Sequence, residues 1–578
     1  MPGFLVCNRQ TEISLRDKFP ENCISSRLKA PRKYTVMSNT LNKFINDKAF
    51  FADKEYVYIL EGVLLNKKEL FKKYRADSIR ELIKVMYERL GETFFSEFRG
   101  PFSGALFISS KHRWIVFTNQ TGDAPVFYLS ENGTFAFGSQ VNYLLDLCRS
   151  LEIKLSFDEV CAYQMLTYGF IPTDNTYARE IKRLDAGCYL VIEKDSVQKK
   201  CYHRFKINAQ RFAGVSEDEL VEMIDSSFRN AVKREWDKDD EYGLHHIADL
   251  SGGLDSRMNI WVAHKLKERH IQLLTFCKGG YLDETIAKEI ARYWKDEIIV
   301  KQLDDVSYMY DIDDISDHLS GLSLYCGITG GKSLIEMINW KNYGLEHTGM
   351  IGDAVIGSLF KSARDIGDRK ISGMYSEKLK DRILPQLEDY IYGFEDHEIF
   401  LLYSRCLHGA ANTFLLRRSF TEGTSPFMDV DFLELCFDIP VQLRIGHHLY
   451  KKWILEKYPN AARFKWESTN GKITESTAKR KARSLALRSE RKIKKILTCG
   501  QALDRNGMNP IEYWVSRSKK LRSFLDNYES DGYKYIPSGV SDKLVSDMKW
   551  LYQNGNIYEK SMVLTVLSSA RSYFGVNK

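Results

Sequence analysis

Within this 578-residue chain, the stretch whose residue types and spacing point most directly to chemistry is Ser251-Gly252-Gly253-Leu254-Asp255-Ser256. It lies between the apolar run ending His246-Ile247-Ala248-Asp249-Leu250 and a helix expected to begin near Arg257. A turn at that place lets backbone amides and a helix N-terminus converge on an anion, and the paired glycines admit phosphate oxygens close to the backbone. Asp255 can hold Mg2+ against those phosphates, because hard divalent ions take carboxylate and phosphate oxygens. The expected nucleotide site is therefore Leu250, Ser251, Gly252, Gly253, Leu254, Asp255 and Ser256; the bland alternative is an ordinary strand-to-helix turn. The spacing G-x-x-x-x-G-K-[ST] is absent, so the phosphate loop of the γ-transferring nucleotidases is not expected.

The elements that must position this loop read as α/β. From about residue 215 an amphipathic helix (Glu217 to Lys233) leads into the apolar strand, the glycine turn and a second helix. The order repeats at Ile271 to Phe276 and at a helix from about Asp283 to Trp294, which signals a parallel sheet. The remainder to 578 reads as mostly helical. Residues 1–195 differ in texture, with short apolar runs such as 56–60, 102–108, 114–117 and 126–129, and one helix expected at about 77–90, where apolar residues recur at helical spacing. This is an α+β layer arrangement. The expected division is 1–195 and 215–578, with the boundary between.

Composition sets outer bounds. A chain of this length with 44% hydrophobic and 28% charged residues folds around sizeable cores, and its net charge of +7 is too small to imply nucleic acid or a membrane surface. The excess is local: residues 463–495 hold twelve basic and three acidic side chains, a solvated basic face or a docking place for an anionic substrate. Eleven cysteines without a C-x-x-C pair suit neither a disulfide framework nor a zinc knuckle. With no signal peptide and no membrane-length apolar run, the expected location is a reducing cytoplasm.

S-G-G-L-D-S resembles the PP-loop of the ATP pyrophosphatases, which cleave ATP between the α and β phosphates. Its flanks resemble the asparagine synthetase family in order along nearly the whole chain. Phe98-Arg99-Gly100-Pro101-Phe102-Ser103-Gly104, Thr118 to Tyr128, Phe137-Gly138-Ser139 and Thr176 to Gly187 resemble segments of the family's glutaminase domain and its linker. Thr275 to Gly279, Asp283-Glu284, His347 to Asp353 and Ser425 to Asp429 resemble segments of its synthetase domain. The resemblance implies an N-terminal α+β Ntn-hydrolase-like β-sandwich, followed by an α/β PP-loop domain of the adenine nucleotide alpha hydrolase-like kind with a helical C-terminal part. It implies ATP and Mg2+ as ligands, Lys278, Thr348 and Gly349 as further nucleotide contacts, and Asp353 beside Asp255 as the second metal carboxylate. A lysine that stabilises developing negative charge is placed by the family spacing at Lys465, with Lys472 as the alternative.

The pattern also fails in places. The family's glutaminases use an N-terminal cysteine bared when Met1 is removed, whereas here position 2 is Pro2, and Cys7 reads as a buried hydrophobe. Where the family has N-G-E-I-x-N, this chain has Glu61-Gly62-Val63-Leu64-Leu65-Asn66, which inverts the polarity of the glutamine pocket. Met350 stands where a family glutamate acts as base; Glu422 is the first replacement, with a buried salt bridge to Arg417 or Arg418 as its plainer role. Family members that abandoned asparagine, such as β-lactam synthetases and lasso-peptide cyclases, also lack a working glutaminase. The expectation is an ATP-dependent amide-forming ligase that adenylates a small-molecule or carrier-bound carboxylate and passes it to an amine or ammonia, with glutamine hydrolysis lost. A tailoring ligase acting on a sugar uronate, a peptide or an antibiotic precursor, or a nucleotide-binding scaffold, are the rivals. The reading leaves a homodimer open.

Overall fold

The structure is a computed structural model that describes the chain apart from residues 1, 16–19, 30–33, 194–195, 268–269, 361, 363–364, 366–372, 477, 480–481, 484, 486–504 and 576–578. The N-terminal half is built on two six-stranded antiparallel sheets. Strict alternation along each strand sorts side chains between layers. In Phe102–Ile108, Ala105 and Phe107 enter the core between the sheets, while Phe102, Leu106 and Ile108 pack on the helices Lys67–Tyr74 and Ile79–Leu90. In Gly3–Cys7, Phe4 and Val6 face the same inter-sheet core, and Leu5 and Cys7 face the helices Val141–Ser150 and Glu159–Tyr168. The result is a sandwich of two sheets covered by helices on both outer faces.

The last strand of this half runs Ser196–Cys201, so the sandwich continues past residue 195. It pairs with Cys188–Glu193 so that Cys188 faces Cys201, and those two cysteines form a disulfide. This corrects the expectation of an unpaired cysteine set: the bond depends on hairpin register, which a count of cysteines does not contain. Cys7 is fully buried as expected, and burial pushes its thiol up to about 11.

The second half holds a five-stranded parallel sheet in the order Glu297–Gln302, Ile271–Cys277, His245–Asp249, Tyr343–His347, Gly423–Thr424. From its central strand the chain builds outward on one side and then returns to build on the other. The switch falls between His245–Asp249 and Tyr343–His347, the place where open parallel sheets form a crevice at their carboxyl ends. The helix Glu217–Tyr242 opens with a capping box at Ser216 and Glu219 and extends nine residues past Lys233. In that extension the charged residues Glu235, Lys238 and Asp239 are buried.

Those charges tie the two halves together. Asp47 of the sandwich is buried and accepts from Lys238 Nζ at 3.0 Å, Tyr242 Oη at 2.6 Å and Leu64 N at 2.9 Å, and it also pairs with Lys67. Lys43 reaches the other way, donating to Trp340 O and Thr421 Oγ1. Without Asp47, Lys67 and Lys238 would share Glu241 as their remaining carboxylate, and Tyr242 Oη and Leu64 N would lose their acceptor. Asp47→Ala is expected to cost about 3–5 kcal/mol in thermal or urea unfolding, and a loss below about 1 kcal/mol would show that the cluster does not hold the halves together.

Candidate active site

The loop 251–256 sits at the switch point, between the strand His245–Asp249 and the helix Asp255–Leu266. Leu250 is buried and bonds Leu274 O, which continues the sheet into the turn. Three loop amides are held internally: Ser251 N donates to Ser256 Oγ at 3.0 Å, Gly253 N to Ser251 Oγ at 3.1 Å and Gly252 N to Asp283 Oδ1 at 2.7 Å. The two serine hydroxyls lie 3.2 Å apart. The loop is thus shaped by its own serines and by a carboxylate from the next helix, and Leu254 packs beneath it.

The loop after Tyr343–His347 comes against it. Asp353 N donates to Asp255 Oδ2 at 2.9 Å, and Tyr450 Oη donates to Asp255 Oδ1 at 2.8 Å. This approach depends on two glycines: a Cβ on Gly349 would lie 2.2 Å from Ser256 N, and one on Gly352 would lie 2.6 Å from Asp255 Cγ. Thr348 is buried, its hydroxyl donating to Thr424 O and accepting from Met350 N, while Met350 O accepts from Ser425 Oγ. Burial and the neighbouring Asp353 charge push the Asp255 carboxyl up to about 8, against the lowering effect of Tyr450. The Asp255–Asp353 pair expected from the sequence is therefore brought together, with Asp353 itself exposed.

A third segment closes over the turn. Glu467 N donates to Gly252 O at 3.0 Å, and the fully buried Arg257 donates to Gly252 O, Ala461 O and Lys465 O. Arg257 thereby fastens the segment carrying Lys465 to the loop, leaving the Lys465 side chain exposed. Lys472 is exposed beyond the turn that Gly471 and Trp466 close. Lys278 is directed elsewhere, its Nζ donating to Arg505 O and its amide to Met508 O. Glu422 is also directed elsewhere. It is buried with Arg418 Nε at 3.7 Å, facing Lys48, Glu61 and Asp123 of the sandwich, and burial raises its carboxyl. Arg417 instead pairs with Glu346 and Asp249. Of the basic stretch, Arg483 pairs with Glu475, with Lys479 at 3.9 Å from the same carboxylate; Arg480, Lys481 and residues 486–495 lie outside the described residues.

Sequence reasoning missed Tyr450, Arg257, Glu467 and His447, and it read Asp283 only as a family resemblance. His447 sits in a left-handed turn beside Trp466 and Tyr450, and it senses the charge of Asp353. None of these lies in a motif; only the arrival of their segments at the loop marks them. Tyr450→Phe removes the bond that favours the charged form of Asp255. In an infrared or carbon-13 titration the carboxyl is expected to move further above 8; an unchanged midpoint would show that the hydroxyl does not govern it.

Residues 49–203 match the family described as a glutamine amidotransferase domain. The chain is 23% identical over 286 residues to a putative glutamine-hydrolysing asparagine synthetase of Methanocaldococcus jannaschii, covering 46% of this chain and 54% of that protein. It is 24% identical over 262 residues to asparagine synthetase B of Escherichia coli, covering 42% and 40%. The matches thus span about half or less of these relatives' own lengths. A solved glutamine phosphoribosylpyrophosphate amidotransferase of B. subtilis aligns at 9% identity and a TM-score of 0.24, covering 52% of this chain and 80% of that one, too loose to bear on function. No helix among the described residues is long and apolar enough to cross a membrane.

Proposed function

Taking the chain as asparagine synthetase-like, we propose that it is an ATP-dependent amide-forming ligase that adenylates a carboxylate. The observation that carries this reading is the meeting of three segments at one turn: the loop 251–256, the Asp353 loop bonded to Asp255, and the Lys465–Glu467 segment fastened by Arg257. A pair of carboxylates facing the loop, one of them holding a proton up to about 8, is a donor set that suits Mg2+. Asp255 and Asp353 would hold the ion, which would supply charge neutralisation for the phosphates.

In the proposed reaction a carboxylate oxygen of the substrate attacks the α-phosphorus of ATP. The bond to the bridging oxygen breaks, pyrophosphate leaves, and an amine nitrogen then displaces AMP from the acyl-adenylate. Ser251 and Ser256 donate to phosphate oxygens, and Lys465 stabilises the charge that develops as pyrophosphate departs. Met350 cannot take the amine's proton and Glu422 is turned towards the sandwich, so that proton passes to the departing AMP or to water. The amine donor is proposed to come from outside the chain. Glu61 accepts from Thr40 Oγ1 at 2.6 Å and pairs with Lys48 Nζ at 2.9 Å, so a buried lysine already neutralises the carboxylate of that pocket. Cys7, deep in its strand, offers no thiolate.

Incubation with ATP, Mg2+ and a panel of carboxylates, with ammonium or with glutamine, is expected to yield AMP and pyrophosphate with ammonium and no glutamate from glutamine. Lys465→Ala is expected to lower that rate about 100- to 1,000-fold. ADP and phosphate as products would overturn the reading. The raised Asp255 carboxyl also sets a pH dependence. Its folded value lies above the unfolded 3.8, so its ionisation opposes folding as pH rises from about 4 to 8. A divalent ion must displace that proton, so Mg2+ affinity is expected to weaken about tenfold per pH unit below 8. A Mg2+-induced thermal shift equal at pH 6.5 and 8.5 would contradict this.

A further inference from the structure

We infer that Asp239, His246 and His347 form a binding site for a transition-metal ion of the Zn2+ class, separate from the Asp255–Asp353 pair. Asp239 Oδ2 lies 3.0 Å from His246 Nδ1 and 2.8 Å from His347 Nε2, and the three ligand atoms lie within 4.8 Å of one another. They converge from three elements: the helix Glu217–Tyr242 and the adjacent strands His245–Asp249 and Tyr343–His347. Bonds of about 2.0–2.2 Å to nitrogen and oxygen set a tetrahedral edge near 3.3 Å. Parting Asp239 Oδ2 from each imidazole nitrogen by a few tenths of an ångström, with the two rings turned towards a common point, seats the ion.

The surroundings are those of a metal-bound histidine pair, in which each ring's second nitrogen faces an acceptor that orients it. His246 Nε2 lies 3.4 Å from Asp240 Oδ1, and His347 Nδ1 lies 3.8 Å from Glu235 Oε2. His347 Nδ1 and Glu235 Oε2 are both buried and face each other as an ion pair at 3.8 Å, beyond hydrogen-bond distance, a gap that a small turn of the imidazole around a bound ion would close. Trp236 stacks on His347 at 4.0 Å with a 7° tilt and fixes the ring plane. Leu345 N donates to Asp239 Oδ1 at 2.8 Å, which leaves Oδ2 to face the two imidazoles. Gly344 makes room for this carboxylate, since a Cβ there would lie 2.0 Å from Asp239 Oδ1. Two imidazoles and one carboxylate favour Zn2+ or Co2+ over Mg2+, which prefers an all-oxygen shell. His246, at 8% exposure, is the ligand nearest solvent. The bound ion would cross-link the long helix to the two strands whose ends carry the loops 251–256 and 348–353.

The test uses the full chain, stripped with a chelator and titrated with Co2+. One equivalent is expected to bind with the visible absorption of a low-coordinate nitrogen and oxygen site, and Zn2+ is expected to displace it. Because His246 is the ligand nearest solvent, His246→Ala is expected to leave the fold intact and abolish the signal. Glu235→Gln is expected to weaken binding about 10- to 100-fold, and Asp353→Asn to leave it unchanged. No absorption in the wild-type chain, a signal that persists in His246→Ala, or a signal lost in Asp353→Asn would each overturn the inference and leave the cluster as a hydrogen-bonded brace.

Discussion

A buried carboxyl set beside a second carboxylate at the end of a parallel sheet is the constraint around which the second half is arranged. Asp255 is held from both sides, by Tyr450 and by the amide of Asp353, and its burial, with the Asp353 charge nearby, makes its ionisation expensive. A fold keeps such a pair only when the surroundings over-determine it. Here they do so through close approach of backbone: Gly349 and Gly352 remove the side chains that would keep the loops apart.

The frame that imposes this approach is laid down by the sheet. Its switch point sets the ends of His245–Asp249 and Tyr343–His347 side by side, and the loops that leave them have nowhere else to meet. The π-helical turn Asp353–Gly357 is braced from behind, where the fully buried Arg444 donates to Gly357 O and pairs with Glu398. Arg257, equally buried, spends its donors on three carbonyls and fixes the Lys465 segment as a lid edge over Gly252. Arg444 is paired with a carboxylate, whereas Arg257 has only carbonyl partners and burial lowers its guanidinium to about 10, so the two arginines fix backbone on either side of the site at unequal cost.

Much of this was legible in the chain. The strands and the first helices of both halves follow from periodicity, and Asp353 meets S-G-G-L-D-S as the family resemblance implies. What was not legible depends on long-range register. The Cys188–Cys201 bond needs a hairpin pairing, and the inward turn of Glu422 needs the sandwich that it faces. The helix Glu217–Tyr242 runs past Lys233 because its charged end finds partners in Asp47, His246 and His347, which lie 100 or more residues away or in the next strand. Lys278, a plausible contact by resemblance, is drawn off by the carbonyl of Arg505.

The sandwich clamps the second half through the Asp47 cluster, and the proposed chemistry of the second half stands or falls with its carboxylate pair. The most direct measurement is paramagnetic resonance of Mn2+ titrated into the chain in the presence of ATP. One Mn2+ per chain is expected to bind with ATP in the wild type, and the signal of that bound ion is expected to disappear in Asp255→Asn and in Asp353→Asn. Equal Mn2+ and ATP binding in all three proteins would contradict the account.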